Sequence, residues 1–282
     1  MIRSLKELEN FAIHATDGDI GHVKDFYFDD ESWVIRYLVV DTGTWLSSRK
    51  VLISPVPIGP PDLTKKVIPA SITKEQVKNS PDIDTDKPVS RQDEVRYLGY
   101  YGYPYYWGGA GLWGGGMFPN TMMPGYDGFV PVPNAVRPEI REAFARTEEA
   151  RHENDDPHLR SFNAVMGHHI EATDGDIGHV QGLLVEEETW AVRYLVVETS
   201  NWWLGHQVLI APDWIENVSW HDATVVVKMT RQEIKDSPSY DAAMRLERWQ
   251  ETAIHEHYGR TCYLVGDMRP DPGEEAVRPA AK

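Results

Sequence analysis

Apolar and polar residues in the first eighty positions alternate in short bursts without helical spacing, and Asp, Gly and Pro separate the bursts. Phe11 to Ala15 predicts a first strand, Asp17-Gly18 a tight turn, and Ile20 to Phe28 a second strand ending at the acidic turn Asp29-Asp30-Glu31. Trp33 to Val40 is a β-branched and aromatic run that predicts a third strand buried on much of both faces, and Lys50 to Ser54 predicts a fourth. Thr73-x-x-Gln76 is a capping box opening one or two helical turns, closed by Ser80-Pro81.

The same pattern returns later in the chain. ATDGDIGHV stands at residues 15–23 and again at 172–180, an offset of 157. At that offset Trp33, Arg36, Tyr37, Leu38, Val39, Val40 and Trp45 fall on Trp190, Arg193, Tyr194, Leu195, Val196, Val197 and Trp202. The register continues ungapped from TKEQVKNSP to TRQEIKDSP, where Thr230 and Glu233 repeat the capping box, and it reaches Tyr101-Gly102 over Tyr258-Gly259. Thr224 to Met229 predicts a fifth strand, where the first copy has the weaker KKVIPAS. This is an internal duplication. It sets repeat one at 3–102, a linker with a charged helix at 103–159, repeat two at 160–259 and a disordered tail at 260–282. Five or six short strands and a helical turn per repeat suggest a small antiparallel barrel, so the fold class is mainly β: two barrels in tandem, with short helices and an irregular linker.

In the linker, residues 103–137 are rich in Gly, Pro, Tyr, Trp and Met and almost uncharged, which favours docking on the barrels over full solvation. Pro138 to about Asn154 predicts a charged helix that acts as a spacer. Gly109 to Gly114 matches G-x-G-x-x-G, but the glycines and prolines that follow leave no room for the helix a dinucleotide site needs.

Composition narrows the partners. Across 282 residues, 28 Lys and Arg oppose 44 Asp and Glu, a net charge of −16 with no basic patch, which argues against nucleic acid. The single cysteine, Cys262, excludes an intramolecular disulfide and any multi-cysteine zinc site. The sequence has no secretory signal and no apolar run of membrane-spanning length, so a cytoplasmic location is expected.

DGDIGHVKDFYFDDESWVIRYLVVDT and DGDIGHVQGLLVEEETWAVRYLVVET, each followed by a Val-Leu-Ile strand and a Ser-Pro close, resemble the PRC-barrel family. That family includes the cytoplasmic domain of the photosynthetic reaction-centre H subunit and the C-terminal domain of a ribosome-maturation factor. The resemblance implies a small barrel that docks on a larger assembly. The expected function is therefore a non-catalytic interaction or scaffold protein, possible as an accessory of a photosynthetic or electron-transfer complex. A protein partner is expected, a peripheral membrane complex or self-association is compatible, and no cofactor is implied. A ribosome-maturation adaptor would follow from the resemblance alone.

Two sets of residues carry candidate chemistry. Asp17, Asp19 and His22, with Asp174, Asp176 and His179, could form a metal or proton-relay site in each copy, although the set is too small for calcium and lacks the EF-hand spacing. On the structural reading Gly18 and Gly175 supply positive φ, Asp17 caps the turn, Gly21 and Gly178 suit a bulge or bend, and His22 faces outward. Arg36 and Arg193 lie inside apolar strands, either facing outward with stacked stems or paired to a turn aspartate. Trp33, Trp45, Trp190 and Trp202 are candidate interaction residues at the barrel mouths.

Overall fold

The chain opens with a three-residue strand, β1 (Ile2–Ser4), that runs directly into one helical turn, α1 (Leu5–Leu8). In the computed structural model, which describes residues 1–83, 89–107, 109–123, 158–199 and 206–261, β2 (Ala12–Ala15), β3 (Gly18–Asp29), β4 (Val34–Asp41), β5 (Lys50–Ile53) and β6 (Val67–Pro69) follow. Two helices, α2 (Lys74–Lys78) and α3 (Arg91–Tyr101), complete the first half. The second half repeats this order as β7 (Leu159–Ser161), α4 (Phe162–Val165), β8 (His169–Ala172), β9 (Gly175–Glu186), β10 (Val192–Glu198) and β11 (Gln207–Ile210). It continues with β12 (Ile215–Ser219), β13 (Thr224–Val227), α5 (Arg231–Lys235) and α6 (Arg248–His257). Both capping boxes form: Thr73 accepts from Gln76 N, Thr230 accepts from Glu233 N, and each helix is a single short turn as the sequence predicts.

The strands make two sheets, with the orders β5-β4-β3-β2-β6 and β11-β10-β9-β8-β13-β12. Antiparallel pairing dominates, yet β6 runs parallel to β2 and β13 runs parallel to β8, so each sheet is mixed. Residues 54–66 carry the chain from the β5 edge to the opposite edge, where β6 enters in the same direction as β2; alternation of side chains does not encode that direction. Among the described residues neither sheet's pairing path closes, so the architecture is two open mixed sheets and not the two closed antiparallel barrels expected.

Each long strand changes its partner along its length. The first residues of β3 pair with β2, while on its last three Tyr27, Phe28 and Asp29 face Ser161, Arg160 and Leu159 of β7. The last three of β9, Leu184, Val185 and Glu186, face Ser4, Arg3 and Ile2 of β1. Shifting one register by 157 gives the other. The N-terminal strand of each half therefore belongs to the sheet of the other half, and the helical turn behind it follows: α1 packs on β9, and α4 packs on β3.

Burial explains why these segments stay in place. Leu5 and Leu8 of α1 are 0% and 1% exposed, and Phe162 and Val165 of α4 are fully buried. The two halves meet where Val34 bridges Ala191, its own counterpart in the register, and one continuous core runs through both. Among the described residues no helix is long and apolar enough to cross a membrane. The spacer helix over 138–154, Trp202 and the tail beyond 261 lie outside the described residues.

Candidate functional site

The repeated nonapeptide folds as the hairpin turn between β2 and β3, and again between β8 and β9. Gly18 and Gly175 take φ of +128° and +123°, a region where a side chain would be strained. A Cβ on Gly21 would stand 2.0 Å from the Asp41 carbonyl oxygen, and one on Gly178 would stand 2.1 Å from that of Glu198. Glycine is needed there because the hairpin and the next strand touch backbone to backbone. A bulge skips Ile20 in one copy and Ile177 in the other.

Asp17 does not cap its own turn. Its Oδ1 accepts from Lys74 N at 2.8 Å, and Asp174 accepts from Arg231 N at 2.7 Å, so each hairpin clamps the first turn of a helix 57 residues later. Asp19 lies 2.7 Å from His14 Nδ1 in the first copy, a pair with no equivalent in the second, where Glu171 replaces His14. Asp176 is exposed, His22 is exposed, and the half-buried His179 lies 2.7 Å from Gln181 Nε2. Among the described residues no three His, Cys, Asp or Glu side chains gather to hold a metal ion. Trp45 sits against this hairpin, donating its indole Nε1 to the Ile20 carbonyl, with Lys74 Nζ 4.5 Å from its ring.

Arg36 is buried at 3% exposure, so the paired alternative describes it and the outward one does not. Its Nη2 lies 3.7 Å from Asp29 and 3.1 Å from Ser32 Oγ, while Nη1 donates to the Leu112 carbonyl at 2.6 Å. Tyr106 and Trp113, both from the aromatic linker, cover its guanidinium at 3.7 and 4.8 Å. Trp113 donates to the Thr189 carbonyl at 2.8 Å, so one linker residue ties the first half's arginine to the second half's turn.

Behind Arg36 lies a carboxylate with no solvent exposure, Glu94 of α3. It accepts from Tyr106 at 2.6 Å and Tyr37 at 3.1 Å, and it pairs with Arg91 at 3.0 Å and His158 at 2.8 Å. Burial, and then the negative charge of Glu94, push both phenols well above their ordinary range, so they stay protonated donors. The second half keeps the Tyr–Glu pair as Tyr194 and Glu251, at 3.1 Å, and adds His255 Nε2 at 3.1 Å from the phenol. Burial favours the neutral form of His255. Arg193 pairs with Glu186, whose carboxyl is pushed up by burial but held below its usual range overall by Thr189 and Arg193.

Trp33 and Trp190 are 9% and 5% exposed in the seam between the halves, where each packs against the opposite repeat. Each bonds the opposite half of the same chain, Trp33 to Val192 and Trp190 to Ile35, and neither stands at a barrel mouth. A groove of about 590 Å³ runs past Trp33 to Trp214, Glu216 and Trp220, and its counterpart of about 510 Å³ runs past Trp190 to residues 58–61. The cluster members Glu94, Tyr106, Trp113 and His158 escape motif reading. The one available signal is that Tyr37 with Glu94 and Tyr194 with Glu251 share the repeat register.

The comparisons with known proteins cover part of the chain. An uncharacterized protein of Deinococcus radiodurans is 39% identical over 82 residues, a stretch that makes up 29% of this chain and 29% of that protein. The chain thus matches under a third of that relative's length. Residues 2–77 match the family model for the PRC-barrel domain, with β1 to β6 and most of α2 inside the matched span. Residues 2–77 of this chain are therefore similar to PRC-barrel domains.

Proposed function

We propose that this chain is a non-catalytic interaction scaffold of two PRC-type units, residues 3–102 and 160–259, joined by the 103–159 linker and acting in the cytoplasm. A PRC-barrel domain supports a protein-interaction role. The observation that carries the proposal is where the repeated polar residues direct their bonds. Asp17 and Asp174 bind helix amides, Tyr37 and Tyr194 bind buried glutamates, and Arg36 and Arg193 pair with acids at the ends of β3 and β9. Their chemistry is consumed inside the fold, which leaves the seam grooves and their rims as the surface for a partner.

The acid-histidine motif gains no support as a metal site, because one carboxylate of each set is already committed to a backbone amide. Affinity purification of the full-length chain from its native cells tests the scaffold reading. A stoichiometric partner should be recovered and should be lost on replacing the exposed rim residues Asp213 and Glu216 with lysine. Recovery that survives those changes, or no partner at all, counts against it.

A further inference from the structure

The N-terminal strand of each half makes its ladder pairs on the sheet of the other half. Met1 to Ser4 and His158 to Ser161 lie along opposite edges with the same bonds: Glu187 N donates to the Met1 carbonyl at 2.8 Å, and Asp30 N donates to that of His158 at 3.0 Å. Arg3 Nε donates to Glu187, and Arg160 Nε donates to Asp30 at 2.9 Å. Phe162 meets Phe26 edge-on at 6.2 Å, and Ser161 Oγ and Asn163 N both bond Asp25. Hydrogen bonds, ion pairs and apolar burial all cross between the halves in both directions. Tyr27 to Asp29 also pair with β4, and Leu184 and Val185 with β10, of their own halves, so an edge deprived of its donor would be left open on its outer side, beside buried aromatic and aliphatic side chains.

We propose that each repeat is an exchange module whose intended partner is another repeat of its own kind. The donor is an N-terminal strand and helical turn of the form Arg-Ser-apolar-x-x-apolar; the acceptor is the far end of the long strand with its acidic turn. The two halves of this chain are then a strand-exchanged pair that happens to be joined, and the covalent connection through residues 124–157 is not what holds them together. The proposal rests on strand pairing alone and stands apart from the scaffold reading: failure to find an outside partner leaves it intact.

The test uses the full chain with a protease site inserted between residues 124 and 157. After complete cleavage the two fragments should co-elute as a 1:1 complex on size exclusion and in native mass spectrometry; elution as two separate folded species overturns the proposal. In the uncleaved chain, Arg3→Glu should speed amide exchange at least tenfold at residue 187, whose N–H bonds the Met1 carbonyl, while Asp30, whose N–H bonds the His158 carbonyl, stays protected. Adding Glu187→Arg should restore the protection. In the mirror pair, Arg160→Asp should move the effect to residue 30 and adding Asp30→Arg should restore it, so a misfolding single variant does not decide the outcome. Loss of protection in the half that carries Arg3, or no rescue by either pair, overturns the exchange.

Discussion

Trp33 and Trp190 hold one conformation on opposite sides of the seam. Their φ values are +53° and +60°, and each offers its carbonyl to the strand of the other half, Trp33 to Val192 N at 2.7 Å and Trp190 to Ile35 N at 2.8 Å. A left-handed tryptophan costs on the order of 1 to 3 kcal/mol, so each half keeps a strained turn that the other half stabilises. Phe28 stacks on Trp33 at 5.2 Å and helps hold the first of them.

Arg36→Met should cost about 3 kcal/mol of stability, because it leaves Asp29 buried without its cation and strips the linker carbonyl and rings of their partner. Arg193→Met should cost about 1 kcal/mol or less, since Arg193 and Glu186 each keep about a quarter of their side-chain surface exposed (23% and 23%). Denaturant midpoints of the two variants check the contrast; equal shifts would contradict it.

Gly21→Ala should prevent folding or lower stability by about 3 kcal/mol or more, because a methyl 2.0 Å from the Asp41 oxygen can be placed only by parting β3 from the start of the following turn. Gly182→Ala is the control: its nearest neighbours are the Val196 side chain at 3.8 Å, so it should change stability little. Thermal unfolding of both variants separates close backbone approach from a general intolerance of the long strands.

The second half should be the acid-sensitive one. His168 and His255 stand in the register where the first half has Phe11 and Leu98, and burial lowers both imidazoles below their ordinary value. A lowered folded pKa means that the unfolded chain takes protons first. The stability is present above about pH 6.5 and is lost as the pH falls from there through the folded values. His168→Phe with His255→Leu should flatten the stability profile below pH 6.5. A slope that persists unchanged would assign it to other groups.

Trp113→Ala should lower stability by about 3 kcal/mol and expose the seam, because that side chain is 2% exposed, covers Arg36 and donates to Thr189. Limited proteolysis should then cut within 103–123 faster than in the parent chain. Unchanged cleavage would mean that the neighbouring contacts, Tyr106 to Glu94 among them, suffice to dock the linker.

Much of the fold was legible in the residues. The β2–β3 hairpin, the strands through Tyr37 and Tyr194, and both capping boxes follow from local patterns of alternation, Asp-Gly and Thr-x-x-Glu or Gln. The exchange was not legible, for a geometric reason. A register of 157 maps Arg3 with Glu187 onto Arg160 with Asp30, but it would map Arg3 with Asp30 onto Arg160 with Glu187 equally well, and three-residue strands carry no further information about which edge they join. The closed barrel expected from strand count missed the parallel β2–β6 and β8–β13 pairs, whose direction depends on the path of the crossover. Helix α3 escaped because its sequence, RQDEVRYLGYY, presents tyrosines and a glycine where an apolar stripe would announce it. The Arg36 cluster depends on linker residues that have no periodicity at all.

The placement of the first strand also bears on how the chain is made. Arg3 finds Glu187 across 184 residues, so α1 leaves the ribosome long before β9 exists to receive it. The first sheet, too, lacks its β7 edge until residue 161 has been synthesised. Contacts of such long sequence separation slow folding and leave apolar surface open in the meantime. Nascent chains halted before residue 159 should therefore be protease-sensitive and prone to chaperone capture, and the native state should be reached only after synthesis of both halves.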